Sequence, residues 1–274
     1  MNKNLPELNN FQDDEIDLKE LFSVIWSGKW LIIAITTVFA IGSVIFALMQ
    51  PNIYKSEALL SPVSEKQGGG GLSALAGQFG GLASLAGINL GGGGAGDKSQ
   101  LAIEIIKSRQ FTSNFIQKHD ILADLMAVDK WNRVTNTISY HTDLYQSENN
   151  KWIREVKAPF KPEPSMQEAY KVFVKTLNVS KDKESGMIML SVEHQSPYVA
   201  QQWVTWLVQD INKVMKTREV AEANKSIIFL NEQIGQTNVS DIKSILFNLI
   251  EEQTKTIMFA DVRDEYVFKT IDPA

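Results

Sequence analysis

Apolar and polar residues change period several times along this 274-residue chain. The first pattern has no period. Residues 30–49 read WLIIAITTVFAIGSVIFALM, twenty positions without a charge. As a helix this run would be ~30 Å long, the thickness of a bilayer's hydrocarbon core. Before it, residues 13–28 place Ile16, Leu18, Leu21, Phe22, Val24 and Ile25 at roughly helical spacing. That predicts a short amphipathic helix, either a plain interfacial lead-in or a partner-binding element. After the run, Tyr54, Ser56, Ala58 and Leu60 share one face of a strand, and Pro62 ends it.

Residues 98–127 carry an interrupted helical stripe from Leu101 to Met126, with Asp97 or Ser99 as its cap. Residues 128–160 show little regularity apart from a possible strand at 137–140, and Pro159, Pro162 and Pro164 mark a boundary. Ser165 and Glu168 stand in capping-box positions ahead of a helix to Leu177. Val179, then Ile188, Leu190 and Val192, alternate on either side of the turn KDKESG, which predicts a β-hairpin. A long helical pattern follows from Pro197 to Ile234 and breaks at Gly235–Asn238. As one helix it would reach ~57 Å. A second helical pattern runs from Ile242 to Val262. The fold class predicted is α+β: a membrane-anchored domain with a small mixed-sheet base and a long projecting helical hairpin. Trp203, Leu207, Ile211 and Val214 are its candidate helix residues for oligomer contact, since apolar stripes on a projecting helix must be covered.

The charge-free run reads as a permanent span. A cleaved signal wants a basic start and a short apolar core, whereas here an acidic head of 29 residues precedes a long one. Trp26, Lys29 and Trp30 at the start and Tyr54 beyond the end are the interface anchors. The division is therefore 1–29 head, 30–49 span, 50–274 main domain. Lys29 and Lys55 flank the run almost evenly, so charge bias is slight, and the signal-anchor layout favours a cytoplasmic N-terminus.

Composition adds exclusions. There is no cysteine, which removes disulfides, Cys-based zinc sites and thiol chemistry. A net charge of −5 argues against a nucleic-acid partner. Residues 68–96 hold 13 of the 17 glycines, with Leu and Ala interspersed. They read as a flexible surface loop or as a contact segment that orders in an assembly. Within them GGGGAGDKS has the outline of a phosphate loop, but Asp97 intrudes before Lys98 and would repel a phosphate. His119, His141 and His194 lack metal-ligand spacing, and Trp203 with Trp206 fits core packing better than sugar stacking. No cofactor, metal or catalytic group is predicted.

The stretches EIDLKELFSVIWSGKW and PNIYKSEALLSPV, with LNEQIGQTN and the closing NLIEEQTKTIMFADVRDEYVFKTIDPA, resemble the Wzz chain-length determinants, the polysaccharide co-polymerases of Gram-negative bacteria. Pro51, Tyr54, Asp272 and Pro273 are the motif residues. The resemblance implies an inner-membrane protein with a periplasmic α/β base, a rising long helix and a homo-oligomeric ring. It implies control of O-antigen or related polysaccharide length, without enzymatic activity, beside the membrane polymerase and its lipid-linked polysaccharide. It also implies a proline-rich stretch and second span after the IDPA segment. This sequence ends at Ala274, which reads as a truncated product or a single-pass form. A membrane-anchored adaptor of a polysaccharide export or secretion complex is the alternative.

Overall fold

The computed structural model describes residue 22 and residues 26–63 and 95–274. The amphipathic head and the glycine-rich segment lie almost wholly outside these residues. The chain divides into two compact units, one up to Pro51 and one from Asn52 to Ala274.

The described part of the first unit is dominated by one helix, α1 (Lys29–Met49), with no buried residue. It is long and apolar enough to cross a membrane, with a mean hydropathy of 2.6. Thr36 does not weaken it, because its hydroxyl donates to the carbonyls of Ile32 and Ile33 at 2.8 and 3.0 Å. Gln50 leaves the helix in extended conformation, and Pro51 follows.

The second unit is built on a four-stranded sheet. Its strands are β1 (Tyr54–Pro62), β6 (Leu177–Lys181), β7 (Ile188–His194) and β8 (Phe268–Asp272), in the order β6-β7-β1-β8. Every pairing is antiparallel, which corrects the mixed sheet expected from the sequence. The reason is the strand order: β1 pairs with β7 and not with β6, and β8, which carried no sequence signal of its own, returns to pair antiparallel with β1. The alternation read from the sequence holds. Ala58 and Leu60 on β1 and Ile188, Leu190 and Val192 on β7 are buried on one face.

Helix α6 (Pro197–Gln236) covers that face with Trp203, Val204, Leu207 and Ile211. Its 40 residues begin at a Ser196 cap, whose hydroxyl accepts from the Val199 N–H, with Pro197 in the first turn. Buried positions run densely from Ala200 to Met215, then thin to Ala223 and Leu230. Over that outer part, α7 (Ser240–Val262) packs against α6, and Lys216 donates to the Asp261 carbonyl.

The interrupted helical stretch read over 98–127 is three helices: α2 (Ala95–Ile106), α3 (Arg109–Lys118) and α4 (Leu122–Met126). Ser108 is extended and caps α3, while Asp120 takes a left-handed φ of 50°. These breaks let the stripe turn corners, so Phe111 and Phe115 join the core beside Phe173 of α5 (Met166–Thr176). Helix α2 is described from Ala95 onward, so its start, and with it the cap read at Asp97 or Ser99, falls at the edge of the described residues. The stretch 128–160 holds two small ribbons, β2 (Val128–Asn132) with β3 (Thr137–Tyr140), and β4 (Tyr145–Gln146) with β5 (Lys151–Trp152).

Helix α5 opens with the capping box read from the sequence. Ser165 N–H donates to Glu168 at 2.9 Å, and Glu168 N–H donates to the Ser165 hydroxyl at 3.3 Å. Arg154 pairs with the same carboxylate at 2.8 Å while bonding the carbonyls of Lys161 and Pro162. The Ser165 backbone N–H holds the Glu168 carboxyl below the usual range; burial opposes it next, and Arg154 and the Ser165 hydroxyl add to the lowering. A depressed folded value stabilises the fold fully above the ordinary carboxylate range and loses that contribution as pH falls through the folded value. Glu168→Gln is therefore expected to lower the urea midpoint at pH 7, with the gap to the parent closing under acid. A gap that stays constant with pH would show that the charge contributes nothing.

Candidate functional site

The structure brings together two stretches that stand at opposite ends of the sequence. In β1 and β8, Leu59 pairs with Asp272, Leu60 with Thr270 and Pro62 with Phe268, with an irregularity between Leu59 and Leu60. The Val63 N–H extends the pair to the Val267 carbonyl at 3.0 Å. Asp272 and Pro273 thus point toward the sheet end where Tyr54 begins β1, three residues after Pro51. Gln201, one turn into α6, donates to the Ala274 carbonyl at 2.8 Å.

A residue the sequence did not single out holds this junction. Asn212 of α6 is 4% exposed. Its Oδ1 accepts from Val267 N–H at 2.8 Å and Phe268 N–H at 3.0 Å, and its Nδ2 donates to the Phe268 carbonyl at 3.0 Å. Glu265 accepts from the Thr270 N–H at 2.8 Å. A polar residue within a run of core positions was the available signal, because a buried amide must find partners.

Of the four helix residues named as oligomer candidates, Trp203, Leu207 and Ile211 are 1%, 0% and 0% exposed. Their apolar surface is already covered by this chain's own sheet, which corrects their assignment to a contact between copies. Val214 is 40% exposed and lines a groove of about 450 Å³ between α3 and α6, with Phe111, Lys118, Lys213 and Arg218. Beneath the groove, Asp210 pairs with Lys118, and its other oxygen lies 2.9 Å from His119 Nε2. His119 stacks on Trp206 with ring centroids 4.2 Å apart. Among the described residues, no three His, Cys, Asp or Glu side chains converge as a metal site.

The anchor residues separate by unit. Trp26 and Trp30 are exposed beside the start of α1, and the Lys29 ammonium lies 4.5 Å from the Trp26 ring centroid. Tyr54 belongs to an aromatic group in the second unit. Its ring meets Trp131 edge-on at 5.4 Å, and Trp131 meets Tyr198 at 6.1 Å. Sequence reading missed this group because Trp131 lies in the stretch judged irregular, and its strand is only five residues long.

Residues 14–119 match the family model Wzz, described as chain length determinant protein. No individual curated protein matches the chain.

Proposed function

We propose that this chain, which carries a Wzz chain length determinant domain over residues 14–119, regulates the length of a surface polysaccharide. Residues 30–49 hold it in the bacterial inner membrane, single-pass over this sequence, and residues from 50 onward lie in the periplasm. There it forms a homo-oligomeric scaffold beside the membrane O-antigen polymerase and its lipid-linked polysaccharide. It performs no bond chemistry; its effect on length comes from geometry.

The observation that carries this reading is the junction of β1 and β8. The opening and closing stretches that resemble the family are neighbouring strands, and α6 holds the start of the second through Asn212. A further support is the apolar surface left on the outer helices: Ile228, Phe247, Met258 and Phe259 are each more than half exposed. Monomeric proteins rarely leave large apolar patches in water, so further copies of the chain are the natural cover.

The test is a gel. Deleting the gene should collapse the modal band cluster of silver-stained lipopolysaccharide into an unregulated ladder, and restoring this chain at matched level should bring the cluster back. An unchanged ladder with reduced surface export would reject length control and favour the adaptor reading.

A further inference from the structure

The two ends of the sheet differ sharply in chemistry. At the end where Leu60 pairs with Ile188, the β6–β7 link spans residues 182–187 and is polar, with Asp182 accepting from the Ser185 N–H at 2.6 Å. At the other end, where Tyr54 pairs with His194, stand Tyr54, Trp131 and Tyr198. From that group the β2–β3 hairpin extends to a tip at Arg133 and Val134. Val134 is 93% exposed, the most exposed large apolar side chain among the described residues.

The tip is held in shape. Asn132 Oδ1 accepts from the N–H groups of Val134 and Thr135 at 2.9 and 3.2 Å. Asn136 takes a left-handed φ of 51° and accepts from the Trp131 indole N–H at 2.9 Å. The hydroxyls of Thr135 and Thr137 meet at 2.7 Å. A turn so fully bonded presents Val134 outward at no further ordering cost. Residues 130–140 contain Lys130 and Arg133 and no carboxylate, on a chain whose net charge is −5.

Covalent reach sets where this group can sit. Tyr54 follows Met49, the end of α1, by five residues, a distance of at most ~18 Å when fully extended. Aromatic rings with polar edges favour the membrane–water interface, and lysine and arginine beside them favour anionic headgroups.

We propose that the β2–β3 tip is a lipid-contacting wedge. Val134 enters the headgroup layer of the bilayer that residues 30–49 cross, Lys130 and Arg133 meet phospholipid phosphates, and Tyr54, Trp131 and Tyr198 lie along the interface. This rests on the membrane-spanning reading given above. The occupant is a bilayer with anionic headgroups, chosen by the two cations, the aromatic group and the short tether.

A chain without cysteine makes the test direct, since each introduced cysteine is a unique labelling site. Val134→Cys, Lys183→Cys on the opposite link and Val44→Cys within α1 would each be spin-labelled in the full chain. Each protein would be placed in vesicles of phosphatidylethanolamine and phosphatidylglycerol. The Val134 label is expected to collide severalfold less with a water-soluble nickel chelate than the Lys183 label, and more with oxygen. Lys130→Gln with Arg133→Gln, or phosphatidylcholine in place of phosphatidylglycerol, should return part of the nickel access. If the Val134 label is as open to nickel as the Lys183 label while the Val44 label is protected, the wedge is wrong and the span stands. If the Val44 label is itself open, the spanning reading fails and takes the wedge with it. If the double variant and the lipid exchange change nothing, the phosphate contact is wrong.

Discussion

Val214→Pro is expected to abolish or shorten the modal polysaccharide distribution while leaving membrane insertion intact. Val214 lies where α6 leaves the core, one residue before Met215, the last position of its dense buried series. A proline there removes the backbone donor to the Asp210 carbonyl and clashes with the preceding turn, at ~3 kcal/mol or more. The kink would swing the outer half of α6, and with it α7, away from the direction set by the sheet. It also falls beside the Lys118–Asp210–His119 cluster, so the base would register it as well. Thr217→Lys, at an exposed position of the same helix, should stay within ~0.5 kcal/mol. Silver-stained profiles at matched protein levels give the comparison. An unchanged profile, with circular dichroism confirming lost helix, would show that α6 need not be straight.

Asn212→Leu is expected to be the most damaging single change in the base that leaves every apolar contact nominally in place. It keeps the branched shape of the side chain but strips partners from two backbone N–H groups and one carbonyl, around residues that are 5% and 0% exposed. Each buried group left unsatisfied costs ~1–3 kcal/mol, and local relaxation recovers part of that, for a net loss of about 3 kcal/mol. In a domain of this size that is a fall of roughly 6–12 °C in Tm. Gln201→Ala, which removes the exposed bond to Ala274, should cost far less. Thermal unfolding of the full chain in detergent measures both, and hydrogen exchange should show the Val267 and Phe268 amides losing protection in Asn212→Leu alone. Equal midpoints for Asn212→Leu and the parent would remove the clamp from the account of stability.

Local signals were legible where one element satisfied its own needs. The Ser165–Glu168 box, the alternation of β1, the KDKESG turn and the long helix from Pro197 could be read because caps, alternation and period lie within a few residues. Elements made by distant partners could not. Strand β8 is five residues of unremarkable pattern whose pairing depends on β1, and the choice of β7 over β6 as the neighbour of β1, which makes the sheet antiparallel, is equally a matter of distant partners. The stripe of residues 98–127 was read as helical and interrupted, but the breaks could not be placed, because a left-handed Asp120 and an extended Ser108 leave no trace in apolar spacing. On α6, Trp203, Leu207 and Ile211 were rightly seen as apolar but assigned to the wrong cover. Periodicity reports that a face is buried and says nothing of whether sheet or sister subunit buries it. Asn212 was passed over for the same reason, since its partners are backbone groups more than fifty residues away.

The place of β1 in the sheet also fixes an order of events during synthesis. Among the described strands it is made first but lies between β7 and β8, and β8 is made last of them. Contacts so distant along the chain are slow to form, because a large loop must close before any pairing rewards it. Helix α1 can be inserted early by its own hydropathy, whereas β1 must wait with one edge open. Until Phe268–Asp272 arrives, the edge of β1 is open to wrong pairing and calls for a chaperone, and arrival of β8 under the Asn212 clamp is the step that ends that exposure.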